Sequence, residues 1–159
     1  MKAETEQWGY IMHKVFGLKK AIEYTDRKGA YLIPVKGDKV AVIKTAKGYF
    51  LLGGGIRNGE TDEECIFREC MEEAGCEAVI GKFICSAESY AEHSEIGYFH
   101  PIQNYYLGEL SNQTAEPQEK DHSLEWVAYK ELKGKLFAEM QSWALDICMS
   151  VFQKSDFSK

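Results

Sequence analysis

The stretch Gly54–Cys76 reads GGIRNGETDEECIFRECMEEAGC. Its second half has the marks of a helix. Thr61 followed by Glu64 is a T-x-x-E capping box, in which each side chain satisfies a backbone N–H that the first turn leaves free. Ile66, Phe67, Cys70, Met71 and Ala74 recur at helical spacing and predict a face that packs on a core. Gly75 stops the helix, as glycine does where the chain must turn left-handed.

The opposite face of this helix is acidic. Glu69, Glu72 and Glu73 stand at i, i+3 and i+4, so their side chains leave the same side. A helix that needed only solubility would interleave charges of opposite sign. Three carboxylates so close repel one another unless a cation sits among them. A hard divalent cation that takes oxygen ligands, Mg²⁺ or Mn²⁺, suits them. That pattern points to metal-assisted chemistry on phosphates. Gly53-Gly54-Gly55 just before it can bring backbone close to a ligand, because no Cβ intervenes.

Upstream, Ala30–Val35 and Lys39–Lys44 read as two strands joined by a turn at Gly37-Asp38, and Tyr49–Leu52 as a third that runs into the glycines. Pro34 predicts an edge position or a bulge. The first fifteen residues lack a clear period and suggest a short helix or an arm. Downstream, Val79–Ala91 and Tyr98–Leu110 are long strand-like stretches with a loop at Glu92–Gly97 between them. A polar loop over Ser111–Asp121 leads to a last strand, Leu124–Ala128. Lys130 begins a short helical turn. Leu136–Phe152 is an amphipathic helix whose Phe137, Met140, Trp143, Ala144, Ile147, Cys148 and Val151 predict core packing. Strands, helix, strands, helix is the order of an α/β protein, a mixed sheet between helices.

At 159 residues the chain is expected to be one domain, 1–159, and its 45% hydrophobic content is enough for a core without staples. The net charge of −6 argues against a binder of polymeric nucleic acid, although a metal can still recruit a small anionic substrate. Cys65, Cys70, Cys76, Cys85 and Cys148 have neither zinc-ligand nor disulfide-framework spacing, and read as reduced, apolar fillers. The N-terminus is not a signal peptide, and no apolar run is long enough to span a membrane. A cytoplasmic protein is expected, as a monomer or a homodimer.

The residues Gly54, Glu60, Arg68, Glu69, Glu72, Glu73 and Gly75 fill every fixed position of G-x5-E-x7-R-E-U-x-E-E-x-G-U, where U is bulky and apolar. This stretch resembles the signature box of the Nudix hydrolase family. Cys70 and Cys76 stand at U positions where aliphatic residues are more usual, and Gly53 stands where many members have proline. The strands before the box, the later Trp126-Val127 strand and the C-terminal helix also look like the family.

The resemblance implies a Nudix-type α/β/α sandwich and a pyrophosphohydrolase acting on a nucleoside diphosphate linked to another moiety, X. Mg²⁺ would be the cofactor and Mn²⁺ a substitute. Glu72 and Glu73 are expected as direct metal ligands, and Glu69 as a further ligand or as the base that deprotonates water. The Gly53 backbone carbonyl and a downstream carboxylate would complete the shell. Among Glu116, Glu119 and Asp121, Glu119 is favoured. Arg68 is expected to pair with Glu60 or a box carboxylate and hold the loop to the helix. The substrate would be a small nucleotide, such as a (d)NTP of the MutT kind, an ADP-sugar or a dinucleoside polyphosphate. The sequence singles out no substrate-binding residue. Of Tyr90, Tyr98, Phe99, Tyr105 and Tyr106, one or two could stack on a base. His93, His100 and His122 are not spaced as ligands. The alternatives are a non-catalytic Nudix module that binds nucleotide, which the retained carboxylates disfavour, and an RNA-end pyrophosphohydrolase, which the lack of a basic stripe disfavours.

Overall fold

The computed structural model of this protein describes residues 12–157, with side chains as far as 152. Nine strands form one mixed sheet system: β1 His13–Phe16, β2 Thr25–Lys36, β3 Lys39–Thr45, β4 Gly48–Phe50, β5 Leu52–Gly55, β6 Cys76–Ser89, β7 Ala91–His93, β8 Gly97–Gln113 and β9 Ser123–Ala128. Three helices accompany them: α1 Asp62–Ala74, α2 Tyr129–Leu132 and α3 Glu139–Phe157. The strand order is β1-β6-β8-β2-β3-β4, with β5 on β2, β7 on β8 and β9 on β3. The β1–β6 and β2–β8 pairs are parallel and the others antiparallel.

Period-two alternation sends β2 side chains to opposite faces. Ala30 and Leu32 pack with Ala41, Ile43 and Leu52 against Cys65, Ile66, Cys70 and Ala74 of α1. Ile33 packs with Val40, Val42, Cys85 and Tyr105 against Met140, Ala144, Leu145 and Cys148 of α3. The result is the expected sandwich, helix on sheet on helix.

Several boundaries differ from the sequence expectation. The strands around the box are longer, because β2, β6 and β8 pair far beyond their apolar centres. The third strand is broken at Leu51: β4 pairs with β3, and β5, glycines included, pairs with β2. The presumed Glu92–Gly97 loop begins with β7, a short strand paired with the start of β8.

Pro34 lies neither at an edge nor at a bulge. It is fully buried in the central strand. There, β5 pairs with Gly29–Leu32 and β3 with Val35–Lys36. Pro34 falls between the two partners, where a missing N–H breaks no ladder bond to either. The expected N-terminal helix or arm falls mostly on residues 1–11, outside the described part, while His13–Phe16 are a strand.

In α1, Phe67 is 49% exposed and Cys65 takes its expected place in the core. Phe137 is 58% exposed, lies before α3, and packs on Phe50 with ring centroids 5.1 Å apart. All five cysteines are free and buried. No described helix is long and apolar enough to cross a membrane.

Candidate active site

The carboxylate helix starts and stops as its sequence predicts. Thr61 accepts from the Glu64 N–H and Glu64 accepts from the Thr61 N–H. Asp62 in the first turn accepts from Asn104 Nδ2 at 2.9 Å and from the Tyr106 hydroxyl at 2.6 Å, which pins the helix start onto β8. Gly75 adopts φ 66° at the other end. A Cβ there would also fall 1.9 Å from the Ala115 carbonyl oxygen, so only glycine closes this turn.

Arg68 is the hub between loop and helix. Its Nε and Nη2 donate to both oxygens of Glu60, at 2.5 and 2.9 Å. Nη2 also donates to the Gly55 carbonyl at 3.1 Å, and Nη1 reaches Glu69 at 3.2 Å and Glu72 at 3.3 Å. The bonds from Arg68, with that from the Arg57 N–H, hold the Glu60 carboxyl down at about 2. The expected loop-to-helix role of Arg68 thus has a geometry, and it is bidentate.

Glu73 accepts from the Gly53 N–H at 3.1 Å. Shielding from water pushes its carboxyl up to about 8; the Gly53 bond opposes this, and repulsion from Glu69, Glu119 and Glu72 adds to it. Burial also raises Glu69, against the pull of Arg68 and with a push from Glu72. Gly54 is what lets Glu69 lie against β5, since a Cβ would fall 2.1 Å from its Oε2. The Cys65 thiol donates to the Gly54 and Gly55 carbonyls at 3.4 and 3.6 Å and holds the glycine strand to α1.

The downstream loop is brought here by backbone bonds. Thr114 and Ala115 N–H donate to the Gly75 carbonyl, and Gln118 N–H to the Glu72 carbonyl at 2.8 Å. Glu119 comes close enough to Glu73 to repel it. Asp121 lines the same cleft as Glu73, and Glu116 is exposed on the loop. Carboxylates and a backbone carbonyl are the donor types of a hard cation site, and their mutual repulsion calls for positive charge. Glu69 and Glu72 are turned to Arg68 and Glu73 to Gly53; among the described residues no three His, Cys, Asp or Glu side chains converge to hold an ion.

Two clefts open along β5. The larger, about 380 Å³, has Glu73 and Gly53 in its wall with Tyr31, Phe50 and His122. The smaller, about 190 Å³, is bounded by Gly54, Gly55, Arg27, Phe99 and Gln103, and Tyr31 lines both. Tyr31 stacks on the buried Tyr105 at 5.8 Å. Of the five aromatics singled out, Phe99 alone lines either of these two clefts. Tyr105 is core, Tyr106 holds Asp62, Tyr90 stacks on His100, and Tyr98 packs on Tyr24. His100 bridges Asp26 and Glu88 at 2.8 Å each, a link between strands, and His93 caps its own turn through the Glu95 N–H. The Nδ1 of His122 is buried without a hydrogen-bond partner.

Sequence reasoning missed Tyr31, Phe50 and Arg27. For Tyr31 the signal was present: it alternates with Ala30 and Leu32 and so faces away from α1. Phe50 and Arg27 had none, because what they face depends on strands far away in sequence.

A family model of the NUDIX domain matches residues 25–147. The chain therefore belongs to the NUDIX family, and with every fixed box residue retained it is a hydrolase of that family. Its fold resembles a MutT NUDIX hydrolase from Burkholderia pseudomallei, with TM-score 0.64 and 22% identity over 77% of this chain and 98% of that one. It resembles a NUDIX hydrolase from Nitrosomonas europaea, with TM-score 0.64 and 12% identity over 79% and 90% of the two chains. A UDP-X diphosphatase gives TM-score 0.63 and 18% identity over 85% of this chain and 66% of its own.

Proposed function

We propose that this protein hydrolyses the pyrophosphate bond of a small nucleotide, a nucleoside diphosphate linked to a moiety X, with Mg²⁺ as cofactor and Mn²⁺ as a substitute. The observation that carries this reading is the set Glu69, Glu72 and Glu73 on one face of α1, with Glu69 and Glu73 held against the glycine strand and Glu73 in the wall of the larger cleft. A bound divalent cation would neutralise the diphosphate and make a water more acidic. Glu72, Glu73 and the Gly53 carbonyl would hold it, with Glu119 as a further ligand. Glu69 would join the same cluster as ligand or as base. Arg68 keeps Glu60 and the loop fixed while this happens, and so acts by positioning.

The apolar wall of the larger cleft, Tyr31, Ile43, Phe50 and Leu51, suits a nucleoside. The test is release of phosphate, pyrophosphate or nucleoside monophosphate from a panel with Mg²⁺. The panel spans canonical and oxidised dNTPs, ADP-ribose, nucleotide sugars and diadenosine polyphosphates, with Glu73→Gln as control. Turnover lost in the variant supports the reading. Tight nucleotide binding with no turnover by the wild type would point to a binding module instead.

A further inference from the structure

We infer that the smaller cleft selects substrates whose X moiety is negatively charged, with Arg27 as the residue that reads the charge. The inference rests on the proposed hydrolysis of an X-linked nucleoside diphosphate. Successive residues of β5 point to opposite faces of the strand. Gly54 faces Glu69, whereas a Cβ on Gly55 would fall 2.7 Å from Arg27 Nε and 2.9 Å from its Nη2. The guanidinium therefore lies against the glycine backbone, one residue along the strand from the acidic cluster. Gly29 pairs with Gly55 in the register, so these two residues add no side chains of their own to the cleft floor, over which Arg27 and Tyr31 lie. Among the described residues Arg27 makes no salt bridge, although Arg68 next door makes three.

The two clefts adjoin at Tyr31 and divide β5 between them, Gly53 to the larger and Gly54–Gly55 to the smaller. A substrate with its nucleoside in the larger cleft and its diphosphate beside Gly53 and Glu73 would lay X over Gly54 and Gly55. There it meets the Arg27 fork, which fits a carboxylate or phosphate through two parallel hydrogen bonds. Lys28, Phe99, Pro101 and Gln103 complete the wall, and a charge preference that survives in Arg27→Met would pass the role to Lys28. A neutral X leaves the fork to water and gains nothing from it.

The test uses pairs that share a nucleotide and differ in the charge of X: UDP-glucose with UDP-glucuronate, and ADP-ribose with ADP-ribose phosphorylated on the anomeric hydroxyl of its distal ribose. Both kcat/KM and the calorimetric Kd with Mg²⁺ are measured for the wild type, Arg27→Met and Arg27→Lys. The wild type should favour the charged member of a pair by about tenfold or more, the scale of a hydrogen bond to a charged group. Arg27→Met should erase that preference through the charged member alone, at unchanged Tm, and Arg27→Lys should restore part of it. A charge preference in Kd that Arg27→Met erases, with no compound hydrolysed, would sink the hydrolase reading and leave this one standing. No preference in the wild type by either measure, or a preference that survives in Arg27→Met, overturns the role of Arg27.

Discussion

Arg68 grips Glu60 with two of its nitrogens, Nε and Nη2, across eight residues of sequence. This fork–fork pair joins the end of the glycine loop to the carboxylate helix. Its remaining donors reach Gly55, Glu69 and Glu72, so one guanidinium orders the loop and two of the acidic side chains at once.

The pair predicts acid sensitivity. The folded Glu60 carboxyl sits at about 2, below its ordinary 4.5. A depressed acid favours the folded state while it is ionised, so this contribution is present above pH 4.5 and lost as pH falls toward 2. Thermal melts between pH 5 and 2 should show a shallower loss for Glu60→Gln than for the wild type. Parallel curves would mean that the pair does not couple to folding.

Glu73 predicts the opposite slope. Its folded carboxyl is pushed up to about 8 from 4.5. A raised acid favours the folded state while it is protonated, so the metal-free protein should lose stability as pH rises from 4.5 through 8. Glu73→Gln should flatten that slope and melt higher than the wild type at pH 8 without metal. Mg²⁺ should raise the wild-type Tm at pH 8, because a ligand that binds only the folded state stabilises it. A metal-free wild type whose Tm ignores pH over this window would contradict the shielding of Glu73.

Catalysis and stability should separate on α1. Glu72→Gln or Glu73→Gln should lower kcat by about a hundredfold or more, the scale on which one preorganised charge-stabilising group acts, while the fold is retained. A fully active Glu72→Gln enzyme would refute the proposed role of Glu72 as a metal ligand.

Gly54→Ala should act through Glu69. The new Cβ would fall 2.1 Å from the Glu69 carboxylate, which must then swing away from β5. Steady-state kinetics should show a fall in kcat with near-native circular dichroism. An unchanged kcat would show that Glu69 works equally well in another position.

The core face of α1 gives a paired test. Ile66 is fully buried, and Ile66→Ala should cost about 2–5 kcal/mol. Phe67 is half exposed, and Phe67→Ala should cost well under that. Urea titrations of both variants decide it. Equal losses would place Phe67 in the core, where the helical period alone had put it.

The Phe67 misassignment shows where the sequence stops. A period of 3.6 residues marks a stripe about 100° wide but not its edges; Cys65 and Phe67, about 200° apart around the helix, fall at opposite edges, and the packed face is shifted toward Cys65. The burial of Cys65 is decided by Ala30, Leu32 and Leu52, which the helix meets only in the folded protein. Pro34 shows the same limit. Local chemistry denies it a ladder donor, and the exchange of partners from β5 to β3 makes a central position tolerable.

What the sequence determined by itself was local. The caps of α1, its acidic face and the register of Glu69, Glu72 and Glu73 follow from spacing along one helix, where neighbours in sequence are neighbours in space. The bidentate clasp of Arg68, the approach of Glu119 to Glu73, the place of Arg27 over Gly55 and the two clefts at Tyr31 were decided by tertiary structure alone. They depend on which strands pair and in which register, and such pairings are set by burial of whole faces, summed over residues far apart in the chain.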